Sequence, residues 1–370
     1  MGNAFFNMPP LTTARIIADY VAIKAKNLFA KAPDLSFEDW VVNRFGRRLY
    51  DIYFRVYTEK TWGIPCTRLS ADWAAQRISL LSLWDTFVQT LKKAMKSSDT
   101  PRTYVSRFYY PTHGGIGAIS EEYAKRMREA GGQVRLNAKV TGIEMADDRI
   151  TKVSYSGGSV AVGPEDLVFS TIPITDFIGA LTPSPPKDVL EASGSLKFRS
   201  IVLVHLMFGR DGISPDHWIY LPELKYLANR VSESRNFSAG NAPEGKTIIG
   251  AEITCQLGDE TWKADKETLA KRVLDDLADI GLVKKGEYLG SRIHYMPHAY
   301  PIYDLEYRPN LDKAIGHLKG VKNLRFFGRN GLFRYNNMDH SISMGQTAAK
   351  SVTDKNTDYL KVATEGHWFG

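Results

Sequence analysis

The segment FFGRNGLFRYNNMDHSISMG, residues 326–345, decides the fold prediction for this chain. An apolar run delivers Gly328 and Arg329, a polar and aromatic stretch follows, and a helix is predicted to begin near Met338. Helix N-termini expose unpaired N–H groups and a partial positive charge, so an anionic or electron-rich group binds there without a dedicated side chain. An ordinary capped helix after a turn explains the pattern equally well, and spacing alone leaves both interpretations open.

A second glycine segment, YYPTHGGIGAISEEYAKRM at residues 109–127, is a near match to the GxGxxG turn that cradles phosphate in dinucleotide-binding proteins. Ser120 stands where the third glycine belongs, and no acidic residue closes the following strand, where the ribose hydroxyl is bound. We therefore interpret the segment as a glycine turn that lets a helix pack closely on a sheet. That helix is predicted to bury one apolar face, made of Ile119, Tyr123, Met127 and Ala130.

Composition places the chain among ordinary globular proteins. Hydrophobic residues make up 43% and charged residues 24% of the 370, which indicates neither disorder nor a fibrous repeat. The net charge of +7 favours anionic ligands, but the basic residues form no stripe, so nucleic acid is not an expected partner. Cys66 and Cys255 match no metal or redox spacing, and the longest apolar run, at 200–209, is too short to span a bilayer. We expect a cytoplasmic protein without a transmembrane segment.

The first part of the chain, residues 11–95, is predicted to be helical. The sequence SFED, which starts at Ser36, is a capping-box pattern that opens a helix. Apolar residues then recur at helical spacing, as Val41, Phe45, Leu49, Ile52 and Val56. The opposite face suits either a solvated surface or an anion-facing wall of a cleft, and it carries Arg44, Arg47, Arg48, Asp51 and Arg55.

From residue 107 the pattern changes to strand, glycine turn, helix and strand. RFYYP at 107–111 is a predicted strand, and so is EDLVFSTIP at 165–173, whose apolar run is expected to be buried on both faces and to end at a ligand. Between 195 and 300, strand-like runs surround one amphipathic helix, Glu267 to Ile280, which indicates a second domain with a mixed or antiparallel sheet. The chain then returns to the first layer, as expected for two interleaved domains.

Five segments occur here in the order found in flavin-dependent oxidoreductases of the amine-oxidase superfamily, and the chain resembles that family over roughly residues 36 to 350. The resemblance is strongest to the protoporphyrinogen-oxidase-like branch, which borders UDP-galactopyranose mutase. The segments are FEDWVVNRFGRRLYDIYFRVYTEKTWGIPCTRLSADWAAQRIS (37–79), YYPTHGGIGAISEEYAKRMREAGGQVRLNAKVTGI (109–143), EDLVFSTIP (165–173), AYPIYDLEY (299–307) and GRNGLFRYNNMDHSISMG (328–345).

This resemblance implies an α/β fold, in which an incomplete Rossmann-like FAD-binding domain is interleaved with a mixed α+β substrate domain. The implied order starts with a helical part of the substrate domain and ends with a short tail. Its segments are 1–106 (helical cap), 107–175 (FAD-binding), 176–308 (substrate domain with a mixed sheet), 309–352 (C-terminal FAD-binding) and 353–370 (tail).

FAD is the cofactor that the resemblance implies. Carried over by position, Val140 would meet the adenine through its backbone. Ser170 and Thr171 would lie beside the dinucleotide, and Gly114 and Gly115 would line the surroundings of the flavin.

The C-terminal segment supplies the remaining implied cofactor contacts. Gly328 and Arg329 would approach the pyrophosphate and the ribityl chain. A helix N-terminus formed by Asn337, Met338 and Asp339 would face the pyrimidine edge of the flavin, where reduction builds negative charge.

Candidate substrate residues lie in the last two segments. Arg334 and Tyr335 stand between the glycine turn and the helix, and Tyr300 and Tyr303 belong to a segment expected near the inner face of the substrate domain. An arginine with tyrosines suits a carboxylate or a phosphate, such as a porphyrin propionate or a nucleotide sugar. Packing of aromatic side chains in the core is an equally good explanation of the tyrosines.

The chain departs from the family because no strand followed by GxGxxG precedes the FEDWVVNRFG segment. We expect the sequence to be a fragment of a longer gene; alternatively, a partner chain supplies the unit, or the fold no longer binds flavin. The isolated chain is accordingly predicted to hold little FAD.

Three functions remain open at this point. The first is an FAD-dependent oxidoreductase that takes a hydride from a small, anionic substrate. The second is a redox-neutral nucleotide-sugar mutase in which reduced flavin acts as a nucleophile, and the third is a non-catalytic binding subunit. No catalytic acid or base is assigned, and no metal site is expected, because Pro297 interrupts the HxxxH spacing of His294 and His298.

Overall fold

A computed structural model describes residues 8–30, 32–77 and 109–361 of the chain. Within these ranges the helices run as α1 (Pro10–Phe29), α2 (Phe37–Phe45), α3 (Arg47–Leu49), a π-helix (Tyr50–Arg55), α4 (Val56–Trp62), α5 (Ala71–Arg77), α6 (Gly117–Glu129), α7 (Ile174–Gly179), α8 (Lys187–Ser195), α9 (Ser234–Phe237), α10 (Glu260–Lys263), α11 (Lys266–Asp279), α12 (Tyr307–Lys319), α13 (Gly328–Gly331) and α14 (Met338–Thr353). Short 3-10 turns occur at Ala239–Asn241, Lys285–Glu287 and Tyr359–Lys361.

Three sheets are built from strands of this part of the chain. A four-stranded sheet has the order β3-β2-β1-β5, an antiparallel five-stranded sheet has the order β10-β6-β9-β8-β7, and β11 pairs with β4 in parallel. The strands are β1 (Val140–Ala146), β2 (Arg149–Tyr155), β3 (Gly158–Ala161), β4 (Val168–Ser170), β5 (Leu181–Thr182), β6 (Phe198–Phe208), β7 (Trp218–Tyr220), β8 (Arg230–Glu233), β9 (Thr247–Cys255), β10 (Tyr288–Pro301) and β11 (Leu324–Phe326).

The pairing of β4 with β11 brings together segments far apart in the chain. Val168 N donates to the carbonyl of Asn323 over 2.8 Å, and Phe327 N donates to the carbonyl of Ser170 over 3.0 Å. The fully buried Asn323 side chain also bonds both backbone groups of Ile150, which ties β2 to this pair. One hydrophobic cluster therefore contains side chains from the first and the last third of the described chain, which is the interleaving that the sequence predicts.

The five-stranded sheet carries a second core on one face only. Inward residues of β6, such as Val202 and Leu206, alternate with half-buried ones and pack against α11 through Leu269, Val273 and Leu277. This is the period-2 pattern of a sheet that covers one core. A third cluster joins α1, α2 and the following helical residues, so the other sheet face is left to meet this helical layer.

The helix predicted to start after Ser36 begins where expected, but it does not continue as one unbroken helix. Ser36 caps α2, since its Oγ accepts from Asp39 N over 3.1 Å while Asp39 Oδ2 accepts from Ser36 N over 3.0 Å. Gly46, with φ of 86°, ends α2, and the π-helix then changes the register. Tyr50 is therefore buried, and Ile52, predicted to lie on the inner face, is 53% exposed.

The basic face of this helical layer is largely paired with acidic side chains. Arg44 lies 2.8 Å from Asp34, and Arg47 lies 2.8 Å from Glu38. These ion pairs indicate that the basic face is a solvated surface rather than an anion-facing wall of a cleft. The predicted helical residues 78–95 lie outside the described part of the chain.

Three further local predictions are wrong. The apolar face predicted to be buried on α6 is open, with Tyr123 54% and Met127 46% exposed, because no residue of α6 is packed into a core of the described chain. Strand β4 is not buried on both faces, since Phe169 is 42% exposed. One of its edges is also unpaired in the described chain, where β11 is its neighbour in the sheet. Residues 109–111 form no strand, and 107–108 lie outside the described ranges.

Removing the cap of α2 gives a direct stability test. The Ser36→Ala variant is expected to lose about 1 kcal/mol of unfolding free energy, because the N-terminal amide of Asp39 loses its acceptor. Urea unfolding followed by circular dichroism measures this loss. The Ser120→Ala change on the exposed face of α6 is the matched control and is expected to be nearly neutral.

Candidate functional site

A glycine turn at residues 327–331, called here the Gly328 turn, lies directly beside the end of β4. Gly328 has φ of 81°, and a Cβ at this position would lie 3.6 Å from Cγ2 of Thr171. At Gly331 a Cβ would lie 3.3 Å from the carbonyl oxygen of Ser170 and 3.4 Å from Cα of Thr171. Three predicted cofactor positions, Ser170, Thr171 and Gly328, are thus brought together.

Helix α14 packs against the same turn. Gly345 allows this approach, because a Cβ there would lie 3.4 Å from the ring of Phe327. At the N-terminus of α14, Asn337 N donates to Nδ1 of His340 over 3.2 Å, while Met338 and Asp339 stay exposed. The turn and the helix start therefore form one surface at the end of the parallel strand pair.

The donor set of this surface fits a dinucleotide cofactor. Asn330 donates from Nδ2 to the carbonyl of His298 over 3.2 Å, but its Oδ1 is buried without a hydrogen-bond partner. A buried amide oxygen without a donor is costly, so a ligand hydroxyl or N–H would be stabilised here. The Gly328 turn, the end of β4 and the start of α14 are the places where FAD would be held.

Predicted cofactor residues also lie at two places away from this surface. Val140 begins β1 in the four-stranded sheet and packs against the hydrophobic cluster shared with β11. The loop with Gly114 and Gly115 lies beside residues 238–241, where Ser238 Oγ donates to the carbonyl of Thr112 over 2.7 Å. Cofactor contacts of both positions stay predictions.

Arg329 lies between two tyrosine rings. Its guanidinium carbon is 5.1 Å from the ring centre of Tyr300 and 4.7 Å from that of Tyr335. The same group donates to the carbonyls of Ala299, over 3.1 Å, and Asn336. The group predicted to approach the pyrophosphate is thus fixed between Tyr300 and Tyr335 by the backbone of Ala299, in β10, and of Asn336.

A second arginine lies within electrostatic reach of the same tyrosine. Arg230 binds Glu252 in a bidentate ion pair, with N–O distances of 2.6 and 2.8 Å, and lies 5.9 Å from the ring of Tyr220. The charges of Arg230 and Arg329 both lower the pKa of Tyr300, against the larger effect of burial, which raises it. We call Arg230, Arg329, Tyr220, Tyr300 and Tyr335 the arginine–tyrosine cluster.

The protonation states of the cluster favour binding of an anion. Burial raises the pKa of Tyr300, to which Tyr335 and Glu252 add, while the two arginines oppose them. Burial disfavours the charge of Arg230, but the carboxylate of Glu252 outweighs it and raises the pKa of the guanidinium. At neutral pH Arg230 is therefore a cation paired with Glu252, and Tyr300 is a neutral hydroxyl donor.

The other predicted substrate residues face a neighbouring cleft. Arg334, Tyr303 and part of Tyr335 line a cavity of about 320 Å³. Arg334 donates to the carbonyl of Leu360 over 2.7 Å. The hydroxyl of Tyr303 accepts a hydrogen bond from Tyr335 N over 2.8 Å. The structure thus places Tyr300 and Tyr335 in the arginine–tyrosine cluster and Arg334 and Tyr303 behind it.

Sequence reasoning missed Arg230, Tyr220, Glu252 and Asn330. The alternation of strands β7, β8 and β9 puts Tyr220, Arg230 and Glu252 opposite the α11 core, so strand periodicity was the available signal. Within the described ranges no group of three or more His, Cys, Asp or Glu side chains could hold a metal ion. His294 and His298 lie on the continuous strand β10.

The parallel and antiparallel sheets, with their helices, define a mixed α/β fold of the kind found in flavin-dependent amine oxidases. A profile of the family described as flavin containing amine oxidoreductase matches residues 33–328, the larger part of the chain. The chain belongs to this family, whose cofactor is FAD. In the described residues no helix is both long and apolar enough to cross a membrane.

Solved structures show the same fold. Reduced UDP-galactopyranose mutase aligns with a TM-score of 0.83 at 20% identity, over 99% of this chain and 78% of that one. A protein of Exiguobacterium sp. 255-15, provisionally named protoporphyrinogen oxidase, aligns with 0.67 at 15% identity, over 93% and 72%. Wild-type putrescine oxidase bound to putrescine aligns with 0.58 at 16% identity, over 94% and 77%. These identities establish the fold and leave the reaction open.

Proposed function

We propose that this protein is a flavin-dependent enzyme that acts on a phosphate-bearing substrate, as a redox-neutral nucleotide-sugar mutase. The observation that carries the proposal is the arginine–tyrosine cluster, in which the guanidinium of Arg329 lies over the rings of Tyr300 and Tyr335 and that of Arg230 lies near the ring of Tyr220. A diphosphate suits two cations and several hydroxyl donors. Glu252 balances the charge of Arg230, so Arg329 supplies the net positive charge, which disfavours a cationic amine such as the putrescine bound by one structural neighbour.

Each side chain of the cluster has a definite part in this proposal. Arg230 and Arg329 bind the phosphoryl oxygens, and Tyr220, Tyr300 and Tyr335 donate hydroxyl hydrogen bonds. Glu252 holds Arg230 in its orientation. The rings of Trp62 and Tyr335, 5.7 Å apart, exclude water from the inner side of the cluster.

FAD, held at the Gly328 turn and the start of α14, would supply a nucleophilic ring nitrogen when reduced. The chain's own contribution is to keep the sugar next to this surface while the diphosphate is fixed by the cluster. A hydride-transferring oxidoreductase is the second candidate, and the family match favours it.

Substrate turnover separates the two candidates. The protein is incubated with a large excess of free FAD and with UDP-galactopyranose under nitrogen, with and without dithionite, and the sugar nucleotides are separated by chromatography. A ring isomer formed only after reduction, with no net electron transfer, supports the mutase. Turnover of reduced flavin with oxygen or a quinone, without isomerisation, supports the oxidoreductase.

Flavin content of the purified 370-residue chain is a separate prediction. The family resemblance predicts a GxGxxG turn after a strand, and because these 370 residues contain none, we infer that they bind the pyrophosphate weakly. We expect less than a tenth of an equivalent of FAD after gel filtration, as about 1.4 kcal/mol of lost binding is a tenfold loss of affinity. Absorbance near the flavin bands measures this, and tight stoichiometric FAD would contradict it.

A further inference from the structure

Lys60, near the end of α4, binds three backbone carbonyls of one distant loop. Its Nζ donates to Leu221 O over 2.7 Å, to Glu223 O over 2.9 Å and to Ala228 O over 2.8 Å. An ammonium group has three N–H bonds, so these three acceptors saturate it. Most surface lysines extend into water with a mobile stem, and this one is held by the protein backbone instead.

The loop held by Lys60 connects β7 with β8 and ends in two residues of the arginine–tyrosine cluster. Tyr220 is the last residue of β7, and Arg230 is the first residue of β8. β7 is the outermost strand of its sheet and pairs with β8 over three residues only. A short edge hairpin of this kind gains little order from its own ladder.

α4 is itself fixed on the sheet next to the loop. Arg199 donates to the carbonyl of Thr61 over 2.9 Å, and Asn229 donates to Thr61 Oγ1 over 3.2 Å. The same helix carries Tyr57, whose ring lies 5.5 Å from that of Tyr220. A second anchor of the loop is Asp276, which accepts from Leu227 N over 2.7 Å.

We propose that Lys60 is a positioning residue that fixes the β7–β8 loop to α4 and thereby sets the places of Tyr220 and Arg230. The effect of Lys60 on substrate binding rests on the proposed function, whereas its role in holding the loop, called here the mechanical part, does not. Burial lowers the pKa of Lys60 to about 8, with Glu223 and Asp276 acting in the opposite direction, so the ammonium form prevails at neutral pH.

Hydrogen exchange at pH 7 tests the mechanical part without any ligand. The amides of Leu221 and Asn229 bond the carbonyls of Asn229 and Glu252, respectively, and report opening of the hairpin. In Lys60→Met their exchange is expected to quicken by about tenfold or more, while the amides of α11 keep wild-type rates. Lys225→Met is the matched control, because Lys225 lies on the same loop but pairs with Asp279 at the surface. Unchanged loop exchange in Lys60→Met overturns the proposal.

Isothermal titration calorimetry with UDP tests whether Lys60 sets the places of Tyr220 and Arg230. Lys60→Met is expected to bind UDP about tenfold more weakly, with partial recovery in Lys60→Arg, which keeps a cation with several donors. Faster exchange with unchanged UDP affinity overturns the positioning role. If the wild-type chain and its Lys225→Met control bind no UDP, the proposed function fails, and the exchange result alone decides whether Lys60 holds the loop.

Discussion

Replacing Arg230 by methionine is expected to weaken UDP binding by about 100-fold, since charge-assisted hydrogen bonds contribute about 1.5–3 kcal/mol and each 1.4 kcal/mol is tenfold in affinity. Arg230 is the first residue of β8, and its charge lowers the pKa of Tyr300. Methionine keeps most of the length of the arginine side chain without the charge. Calorimetric titration of the folded variant measures the change.

The same substitution is expected to destabilise the fold. Glu252 would lose its bidentate partner while its side chain is only 19% exposed. Loss of one member of a buried pair costs about 3–5 kcal/mol, and partial exposure reduces this to about 2–3 kcal/mol. Combining Arg230→Met with Glu252→Gln removes the uncompensated carboxylate, so unfolding free energy recovers while UDP affinity stays low.

Arg210→Met supplies the control for Arg230. Arg210 forms an ion pair with Glu287 over 3.2 Å, of similar exposure, but lies outside the arginine–tyrosine cluster. Its replacement is expected to leave UDP affinity unchanged. An Arg230→Met variant that folds and binds UDP as well as the wild type would refute the assignment of the cluster to the phosphate.

The Arg329→Lys variant is expected to lose about 30-fold in UDP affinity and to keep its affinity for FAD within a factor of two. Lysine preserves the charge, but it lacks the planar group that lies between Tyr300 and Tyr335 and that bonds two carbonyls at once. Stacking of a cation on two rings contributes about 0.5–2 kcal/mol. Loss of the paired N–H donors that bond the two carbonyls costs a similar amount. Parallel titrations with UDP and FAD measure both affinities.

This variant separates two roles for Arg329. The family resemblance predicts a contact with the FAD pyrophosphate, whereas the geometry directs the guanidinium toward the tyrosines. A loss of FAD affinity with unchanged UDP binding would establish the first role and contradict the second. Arg325→Lys is the matched control, because Arg325 also lies over a tyrosine ring, that of Tyr359, away from the cluster.

Local pattern was sufficient for most elements near the site. The apolar run before Gly328 became β11, the predicted helix start became the first residue of α14, and SFED gave the cap of α2. These features depend on neighbours in sequence, such as a capping side chain or a glycine with positive φ. The π-helix after Gly46 was missed because apolar spacing assumes an unchanged helical period.

By itself the sequence determined the family, the α/β fold and the strands that became β4 and β11, whereas the cofactor contacts of the residues beside them stay predictions. Only the tertiary structure decided that Arg230 and Arg329 act on the same tyrosine, that Arg334 lies in the cleft behind, and that Lys60 binds a loop 161 residues away. Propensity and periodicity act over one or two turns of chain, whereas these contacts depend on the pairing of strands and the packing of helices on sheets.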